Sequence, residues 1–387
     1  MHQYRTHNCG ELKTANINNK VKISGWINRK RDHGGLLFLD LRDHFGVTQC
    51  VISRDHKEFS KIESIKVESV ISITGLVLER SKDTINKKLS TGLIEVNIQD
   101  FDVLSLSETI PFQISIEDDA PEDIRLKHRY LDLRKKKLHE NIILRSKIID
   151  SFRNKMIKSG FFEIQTPILS ASSPEGARDF LVPSRIHHGK FYALPQAPQI
   201  FTQLLRVAGF DKYFQIAPCF RDEDARADRS PGEFYQLDFE MSFVNQEDIF
   251  KTIEPIIFEV FKEFSKNENI TNVPFPIINY AKAIEDFGTD KPDLRNPLII
   301  KDASACFINS GFKIFEENLK KDYVVKGIKV PFCANKPRAW FDKLNEWARL
   351  SGQKGLGYII FENKDGKGPI AQYIKDTNFS MLNDLFN

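Results

Sequence analysis

An arginine that follows an apolar strand and is itself followed by acidic residues is the feature of this 387-residue sequence that most suggests chemistry. Arg221 comes after the apolar segment that ends at Phe220, and Asp222 and Glu223 come next. A guanidinium can bind a phosphate through two hydrogen bonds and compensate the charge that develops during phosphoryl or nucleotidyl transfer. The acidic side chains could bond a base or help to hold magnesium. A solvent-exposed, salt-bridged hairpin would have the same composition, so the segment by itself leaves both interpretations open.

The elements around Arg221 are predicted from composition and spacing. Strand-like residues lie on both sides of the charged segment, and apolar residues recur at helical spacing before and after the pair. We therefore expect Arg221 to lie at the end of one strand of an antiparallel hairpin. The predicted elements are a helix from Asn141 to Ser159-Gly160, a strand over 161–165, strands over 212–220 and 233–244 joined by loop 222–232, and a helix over 249–264.

The first hundred residues have the composition of a small β-barrel. Short segments rich in Val, Ile and Phe alternate with turns, and the densest basic cluster, Arg29-Lys30-Arg31, lies at a strand end. A five-stranded barrel with a basic, aromatic face is how an OB-fold binds single-stranded nucleic acid. An ordinary β domain with a solvated turn remains the alternative. The predicted strands cover residues 21–27, 36–42, 47–52, 70–78 and 94–104.

The composition narrows the class of protein. Hydrophobic residues at 41% and charged residues at 28% are close to globular averages, which excludes disorder of the whole chain. A net charge of +3, from 56 Lys and Arg against 53 Asp and Glu, is too balanced to indicate nucleic-acid binding by itself. The five cysteines include no C-x-x-C pair, which favours reduced thiols over disulfides or a zinc site. Because no run of about 18 apolar residues occurs, we expect a soluble, cytoplasmic protein without a membrane span.

Four segments, in their order along the chain, resemble the bacterial aspartyl-tRNA synthetases, a family of class II aminoacyl-tRNA synthetases. They are the unit ending at Thr166-Pro167, the loop 173–180, the segment 192–199 and the charged hairpin. The segment 29–38 also resembles the anticodon-recognition strand of that family. The resemblance implies an α+β multidomain fold that dimerises through the first helix-strand unit of its core. It implies an OB-fold barrel (1–106), a linker (107–140), the first part of a class II antiparallel sheet with flanking helices (141–297) and a small α+β insertion domain (298–387).

The resemblance also implies an activity. Members of the family use ATP and Mg²⁺ to activate L-aspartate as aspartyl-adenylate and transfer the aspartyl group to tRNA(Asp). His33 before Gly34-Gly35 is similar to the barrel loop of the non-discriminating kind, which also charges tRNA(Asn). A histidine that only caps a turn is the alternative at this position.

Residue by residue, the resemblance assigns Arg221 as the catalytic residue that contacts the α-phosphate of ATP. It implies ATP binding by Arg221, Asp222, Glu223 and Phe234, with Phe234 stacked beneath adenine. It implies aspartate binding by Glu175, Gln199, Ile200, Phe201, Thr202, Arg221 and Asp238. The anticodon residues it implies are Arg31, His33, Phe38 and Gln49, and those for the tRNA acceptor end are Arg226 and Arg229. A core role for Phe38 and a solvated role for each of Arg226 and Arg229 stay open, and no metal ligand is assigned in this chain.

The sequence departs from the family pattern in two respects. Aspartate-specific members usually have a Lys three residues after the counterpart of Gln199, whereas Thr202 stands here, so we expect weaker aspartate binding and poorer rejection of asparagine. The Gly-rich third motif, which supplies further groups for ATP, magnesium and aspartate, is not found before Asn387. We therefore expect this chain alone to form little aspartyl-adenylate.

Three interpretations stay open. The chain could be a ligase whose remaining segment lies outside this sequence, a truncated and catalytically inactive paralogue that binds tRNA, or a lysine- or asparagine-type relative. The loop 173–180 and the insertion domain favour the aspartate branch over the last of these.

Overall fold

The computed structural model describes residues 2–116, 120–173, 176–223, 232–266, 269–362, 365–374 and 376–386. The chain divides into two compact units, and the division falls between Ile270 and Thr271. The first contains a closed barrel, a three-stranded sheet, a two-stranded sheet and helices that include two long ones, and the second contains two-stranded ladders with helices. Within the described ranges, no helix is both long enough and apolar enough to cross a membrane.

The barrel confirms the five strands predicted from the sequence. The order around it is β1-β2-β3-β5-β4, with β3 parallel to β5 and the other neighbours antiparallel. Side chains alternate along each strand, so Ile23, Ile27, Leu39 and Leu41 are buried inside the barrel while residues such as Trp26 and Phe38 are on the outer side and less buried. The elements are β1 (Lys20–Asp32), β2 (Leu36–Asp43), β3 (Gly46–Ser53), α1 (Phe59–Ser64), β4 (Val70–Glu79) and β5 (Ile94–Ser105).

The segment predicted as a linker contains two short helices and is attached to the barrel. Helices α2 (Glu122–Lys127) and α3 (Arg129–Asp132) lie in it. Arg134 Nη1 lies 2.8 Å from Glu68 Oε2, and Arg42 Nη2 lies 2.7 Å from the same oxygen. The side chain of Glu68 is 2% exposed, so this barrel carboxylate binds the segment through an ion pair that is shielded from water.

The sheet of the first unit follows the long helix. Helix α4 begins five residues before the predicted Asn141 and ends, as predicted, at Ser159-Gly160. The strands are arranged in the order β10-β9-β6, with β9 and β10 antiparallel and β6 parallel to β9. The elements are α4 (Lys136–Lys158), β6 (Phe162–Glu163), β7 (Leu181–Pro183), β8 (Phe191–Ala193), α5 (Gln199–Val207), β9 (Lys212–Phe220), β10 (Glu233–Met241) and α6 (Gln246–Phe264).

Three predicted boundaries in this unit were wrong. The strand expected over 161–165 has only two residues: the Ile164 N–H makes the last backbone bond to β9, at the Phe214 carbonyl, and the Thr166 N–H bonds to the side chain of Gln215 instead of a strand backbone. Strand β10 ends at Met241 rather than Val244, since the chain turns at Phe243 with φ of 58°. Helix α6 begins at Gln246 rather than Ile249 because Asn245 accepts a hydrogen bond from the N–H of Asp248 and caps the helix earlier.

The two faces of the β9–β10 hairpin differ in character. One face is apolar and packs against α4 and α6, where Met156, Phe214 and Ile256 form a buried cluster with Leu237 and Phe239. We call the opposite face the site face. Paired residues of an antiparallel ladder point to the same side of the sheet. The site face therefore carries Tyr213, Gln215, Ala217 and Cys219 of β9 with Phe234, Gln236, Asp238 and Glu240 of β10.

The second unit has a mixed α+β composition. Strands β11 and β12 pair, as do β13 and β14, and a buried cluster forms around Cys306, Phe307 and Leu382. The unit begins at Thr271, within the range predicted as catalytic core, and the domain boundary at 297/298 stays a prediction. The elements are α7 (Tyr280–Phe287), β11 (Ile300–Asp302), α8 (Lys313–Leu319), β12 (Lys326–Ile328), α9 (Arg338–Leu350), β13 (Ile360–Glu362), β14 (Asp365–Lys367) and α10 (Asp376–Phe386).

Candidate functional site

Arg221 and Phe234 lie together at the loop end of the hairpin. The guanidinium carbon of Arg221 is 5.0 Å from the centroid of the Phe234 ring, and both side chains are half-buried. The Arg221 backbone N–H donates to the Gly232 carbonyl at 2.8 Å, which closes the end of the ladder. Among the described residues, Nε of Arg221 is buried without a hydrogen-bond partner. A buried donor of this kind is costly unless a ligand or water accepts from it.

The segment after Gly176 is bonded both to this end of the hairpin and to the turn before α5. The Asp222 N–H donates to the Arg178 carbonyl at 2.9 Å. The buried Gln196 amide donates to the Ala177 carbonyl at 2.9 Å and accepts from the Ala177 N–H at 3.0 Å. It also donates to a carboxylate oxygen of Asp179. Gln196 therefore acts like a strand partner for the segment and fixes its position beside the site face.

A cavity of about 130 Å³ lies between this segment and α5. Ile200 and Phe201, two predicted aspartate-binding residues, are part of its lining. Gln199 is exposed in the first turn of α5 and is not part of the lining. The remaining lining residues are Ser170, Ala171, Ser172, Ser173, Asp179, Leu194, Pro195, Gln196 and Ala197.

The far end of the site face, away from Arg221, is acidic, and its negative charge is partly neutralised by an arginine. Asp238 and Glu240 project from it two residues apart on β10. Arg206 Nη2 lies 2.7 Å from Glu240 Oε2, and the hydroxyl of Thr202 lies 2.7 Å from Glu240 Oε1. Burial, reinforced by the charges of Asp238 and Glu240, raises the pKa of the Tyr213 phenol well above its usual range.

A second polar face lies on the barrel. Arg31 Nη2 donates to Asp40 Oδ1 at 2.8 Å and to Gln49 Oε1 at 3.0 Å, and the Gln49 amide donates to Glu95 at 2.8 Å. Phe38 is paired with Arg31 in the ladder and is half-buried. Burial, opposed chiefly by Arg31, raises the pKa of the Asp40 carboxyl. These contacts fix a guanidinium beside an accessible aromatic ring, the combination that binds unstacked bases.

Two known protein families match this chain, one over the barrel and the other over most of the remaining residues. Residues 21–104 match the family described as "OB-fold nucleic acid binding domain". Residues 121–368 match the family described as "tRNA synthetases class II (D, K and N)". The chain belongs to the class II tRNA synthetases. The resemblance found in the sequence and the fold expected from it are thereby confirmed.

Individual class II synthetases are similar to the chain over its whole length. It is 57% identical to the aspartate–tRNA(Asp/Asn) ligase of Zymomonas mobilis, covering 100% of this chain and 65% of that protein. It is also 57% identical to the protein of the same name from Rickettsia prowazekii, covering 100% of this chain and 64% of that one. The chain thus spans a little under two thirds of these relatives.

A solved class II synthetase has the same fold. The structure of asparaginyl-tRNA synthetase from Pyrococcus horikoshii complexed with asparaginyl-adenylate matches with a TM-score of 0.62 at 19% identity. The match covers 83% of this chain and 91% of that one. At this identity the similarity supports the fold and nothing finer.

The structure brings together many of the site residues expected from the synthetase pattern. Arg221 and Phe234 are in contact, and Asp222 and Glu223 are exposed directly beyond them. Asp238 lies on the same face, whereas Thr202 is fully buried behind Glu240. On the barrel, the His33 ring lies edge-on to Phe38, with 5.5 Å between ring centroids, close to Arg31 and Gln49 in the strand register. The predictions for Glu175, Arg226 and Arg229 lie outside the described residues.

Sequence reasoning missed three polar residues on or beside the site face. Gln196 and Glu240 lie within segments that the sequence had singled out, but their partners are distant in the chain. Arg206 lies four residues after Thr202, a spacing that puts both side chains on one side of α5. That spacing was the available signal for Arg206.

The described residues do not present a ready-made metal site. Over the ranges for which side chains are described, no group of three or more His, Cys, Asp or Glu is arranged to hold a metal ion. Magnesium therefore stays a prediction from the resemblance.

Proposed function

We propose that this chain carries the anticodon-binding barrel and an adenylate-forming face of an aspartate–tRNA ligase. The enzyme would activate L-aspartate with ATP and transfer the aspartyl group to tRNA(Asp). One observation carries the proposal. Among the described residues, the buried Nε of Arg221 has no hydrogen-bond partner and lies beside Phe234 at one end of the site face, and the carboxylate of Asp238 belongs to the same face. The names of the relatives that are 57% identical over the whole chain support the choice of aspartate.

The geometry supports separate binding positions for adenine and for aspartate along β10. Phe234 and Asp238 are four residues apart, which corresponds to about 13 Å along a strand. Adenine would stack on Phe234, and the ammonium of aspartate would bind Asp238. The α-carboxylate of aspartate would attack the α-phosphate between them, expelling pyrophosphate. Arg221 would compensate the charge that develops on the phosphate, because a fixed guanidinium needs little reorganisation.

The remaining aspartate contacts belong to α5 and the segments around it. Ile200 and Phe201 line the cavity beside the site face and would exclude water from the acyl-adenylate. Glu175, Gln199 and Thr202 would also bind the substrate aspartate, as the resemblance to the synthetases implies. Asp222 and Glu223 would complete the ATP site, and Arg226 and Arg229 would contact the acceptor end of the tRNA.

The barrel would read the anticodon. Phe38 would stack on one base, while Arg31 and Gln49, already linked to each other by a hydrogen bond of 3.0 Å, would bond base edges. His33 lies edge-on to Phe38 and would accept either of the two third anticodon bases that distinguish tRNA(Asp) from tRNA(Asn). We therefore include tRNA(Asn) among the substrates, as the names of the relatives suggest.

A homodimer and a cytoplasmic location complete the proposal. Apolar side chains of the first helix-strand unit are exposed in the single chain, which supports pairing of two copies through α4 and β6. They are Ile142, Leu144, Ile157 and Phe162, with exposures of 52%, 42%, 51% and 67%. The ranges 1–106, 107–140, 141–297 and 298–387 are proposed as the anticodon-binding domain, linker, core and insertion domain.

Equilibrium binding tests the proposal on the chain itself. Calorimetric titration with ATP and L-aspartate, together with fluorescence titration of the tRNA(Asp) anticodon stem-loop, should give binding of all three. Arg221→Ala should lose ATP and keep the RNA. Binding of RNA alone would instead support the catalytically inactive, tRNA-binding alternative, and binding of none of the three would refute both.

A further inference from the structure

The far end of the site face, where Asp238 and Glu240 project, is contacted by a cationic side chain, Arg206, that the family pattern does not include. Thr202 brings no charge, but Arg206 follows one helical turn later on α5. Arg206 Nη2 lies 2.7 Å from one oxygen of Glu240, and the Thr202 hydroxyl donates to the other oxygen at 2.7 Å. One carboxylate thus connects the neutral position 202 to the charged position 206.

This end would repel an incoming carboxylate without that cation. Asp238 and Glu240 project from the same face of β10, and the side chain of Glu240 is only 18% exposed. A carboxylate that is mostly shielded from water acts on its neighbours through a lower dielectric than an exposed one. L-Aspartate brings one ammonium and two carboxylates, and Asp238 alone is enough for the ammonium. Glu240 must therefore be neutralised if the second carboxylate of the ligand is to approach.

Two polar side chains at this end each have a buried atom without a hydrogen-bond partner among the described residues. Among the described residues, the hydroxyl of Tyr213, which is fully buried, and Nε of Arg206 have no hydrogen-bond partner. Tyr213 is paired with Glu240 in the β9–β10 ladder, so its phenol belongs to the acidic end of the face. Native proteins seldom leave such atoms unsatisfied, and a polar ligand or water would satisfy them.

We propose that Arg206 is a specificity-determining positioning residue. By neutralising Glu240 it allows the site to accept the side-chain carboxylate of L-aspartate and to prefer that ligand to the uncharged carboxamide of L-asparagine. This inference rests on the proposed function, since it concerns the amino acid that the site face binds. Arg206 acts through Glu240 and is not itself assigned a contact with substrate.

The test removes or relocates the positive charge of Arg206 and measures the preference for L-aspartate over L-asparagine. L-Aspartate and L-asparagine are titrated calorimetrically into the chain and into Arg206→Met, Thr202→Lys/Arg206→Met and Arg206→Met/Glu240→Gln. Lys155→Met is the matched control, because Lys155 also pairs with a carboxylate, Glu263 at 3.1 Å, but on the apolar side of the sheet. Unfolding by denaturant is measured for every variant.

The expected result is a selective loss that is recovered by restoring charge balance. Arg206→Met should weaken aspartate binding by about tenfold, the effect of roughly one charge-assisted contact, and asparagine binding by less than about threefold. Both double variants should recover most of the aspartate affinity, and Lys155→Met should leave both affinities unchanged. A purely structural role would weaken both ligands alike and would not be rescued by Thr202→Lys.

Two kinds of contrary result are distinguishable. If the unaltered chain binds aspartate and Arg206→Met binds it equally well, or loses both amino acids in parallel without recovery, the role of Arg206 is refuted and the proposed function stands. If the unaltered chain binds neither amino acid, the proposed function is refuted, and this inference with it.

Discussion

Replacing Phe38 with Ala should weaken binding of the anticodon stem-loop while leaving the barrel folded. The ring is half-buried on the outer side of β2, whereas Leu37, Leu39 and Leu41 of the same strand supply the core. Loss of one base–aromatic stack costs about 1–3 kcal/mol, which corresponds to a rise in Kd of roughly 5- to 150-fold. Phe38→Trp keeps a stacking surface and should retain most of the affinity.

The assay is fluorescence titration of labelled tRNA(Asp) stem-loop, with urea unfolding measured in parallel. Phe45→Ala is the matched control, because Phe45 is an aromatic residue of the same barrel with 49% exposure, located in the turn between β2 and β3 away from Arg31 and Gln49. It should leave the Kd unchanged. A Kd for Phe38→Ala within about twofold of the unaltered chain, or an equal loss in Phe45→Ala, would show that the ring does not stack on a base.

Three further predictions concern the barrel. Glu68→Gln removes the buried charge that pairs with Arg42 and Arg134 and should lower the free energy of unfolding by about 3–5 kcal/mol in urea titrations, and a loss below about 1 kcal/mol would contradict a shielded ion pair. Because burial raises the pKa of Asp40, the folded state holds this proton more tightly than the unfolded state, so stability should fall as pH rises from the unfolded value of about 4 through the folded pKa. Asp40→Asn should remove that part of the pH dependence, and identical profiles for the two proteins between about pH 4 and 7 would refute it. His33→Leu should weaken binding of the tRNA(Asn) stem-loop more than that of tRNA(Asp), and equal changes for the two RNAs would assign His33 to the turn alone.

The barrel and the hairpin could be predicted because their signals are local. Alternation of Ile, Leu and Val with polar residues sets a strand and its buried side, and the predicted β9 agrees with the observed Lys212–Phe220 at both ends. Strand β6 was overestimated because the bond that ends it comes from Gln215, which is 49 residues away from Thr166. A residue far along the chain cannot be identified as a partner from local pattern.

In the candidate site, too, residues with a local sequence signal were predicted and residues defined by distant contacts were not. Arg221 was found from its position beside a charged turn, and the resemblance extended this to Phe234 and Asp238. Arg206 and Glu240 were not found, because their 2.7 Å contact joins a helix to a strand 34 residues later. The expectation of weaker aspartate binding was based on the residue at position 202 alone. The structure adds a cation one turn away, which changes the charge balance that this expectation assumed.

Binding of a sulfamoyl analogue of aspartyl-adenylate tests the central claim most directly, because one stable ligand carries the adenosine and aspartyl groups assigned to the two ends of the site face. Isothermal titration of the unaltered chain should give binding that is competed by ATP and by L-aspartate. Arg221→Ala should weaken it by about 10²- to 10³-fold, the effect of removing a fixed charge partner. Binding that is unchanged in Arg221→Ala, or no binding to the unaltered chain, would contradict the assignment of this face as the adenylate site.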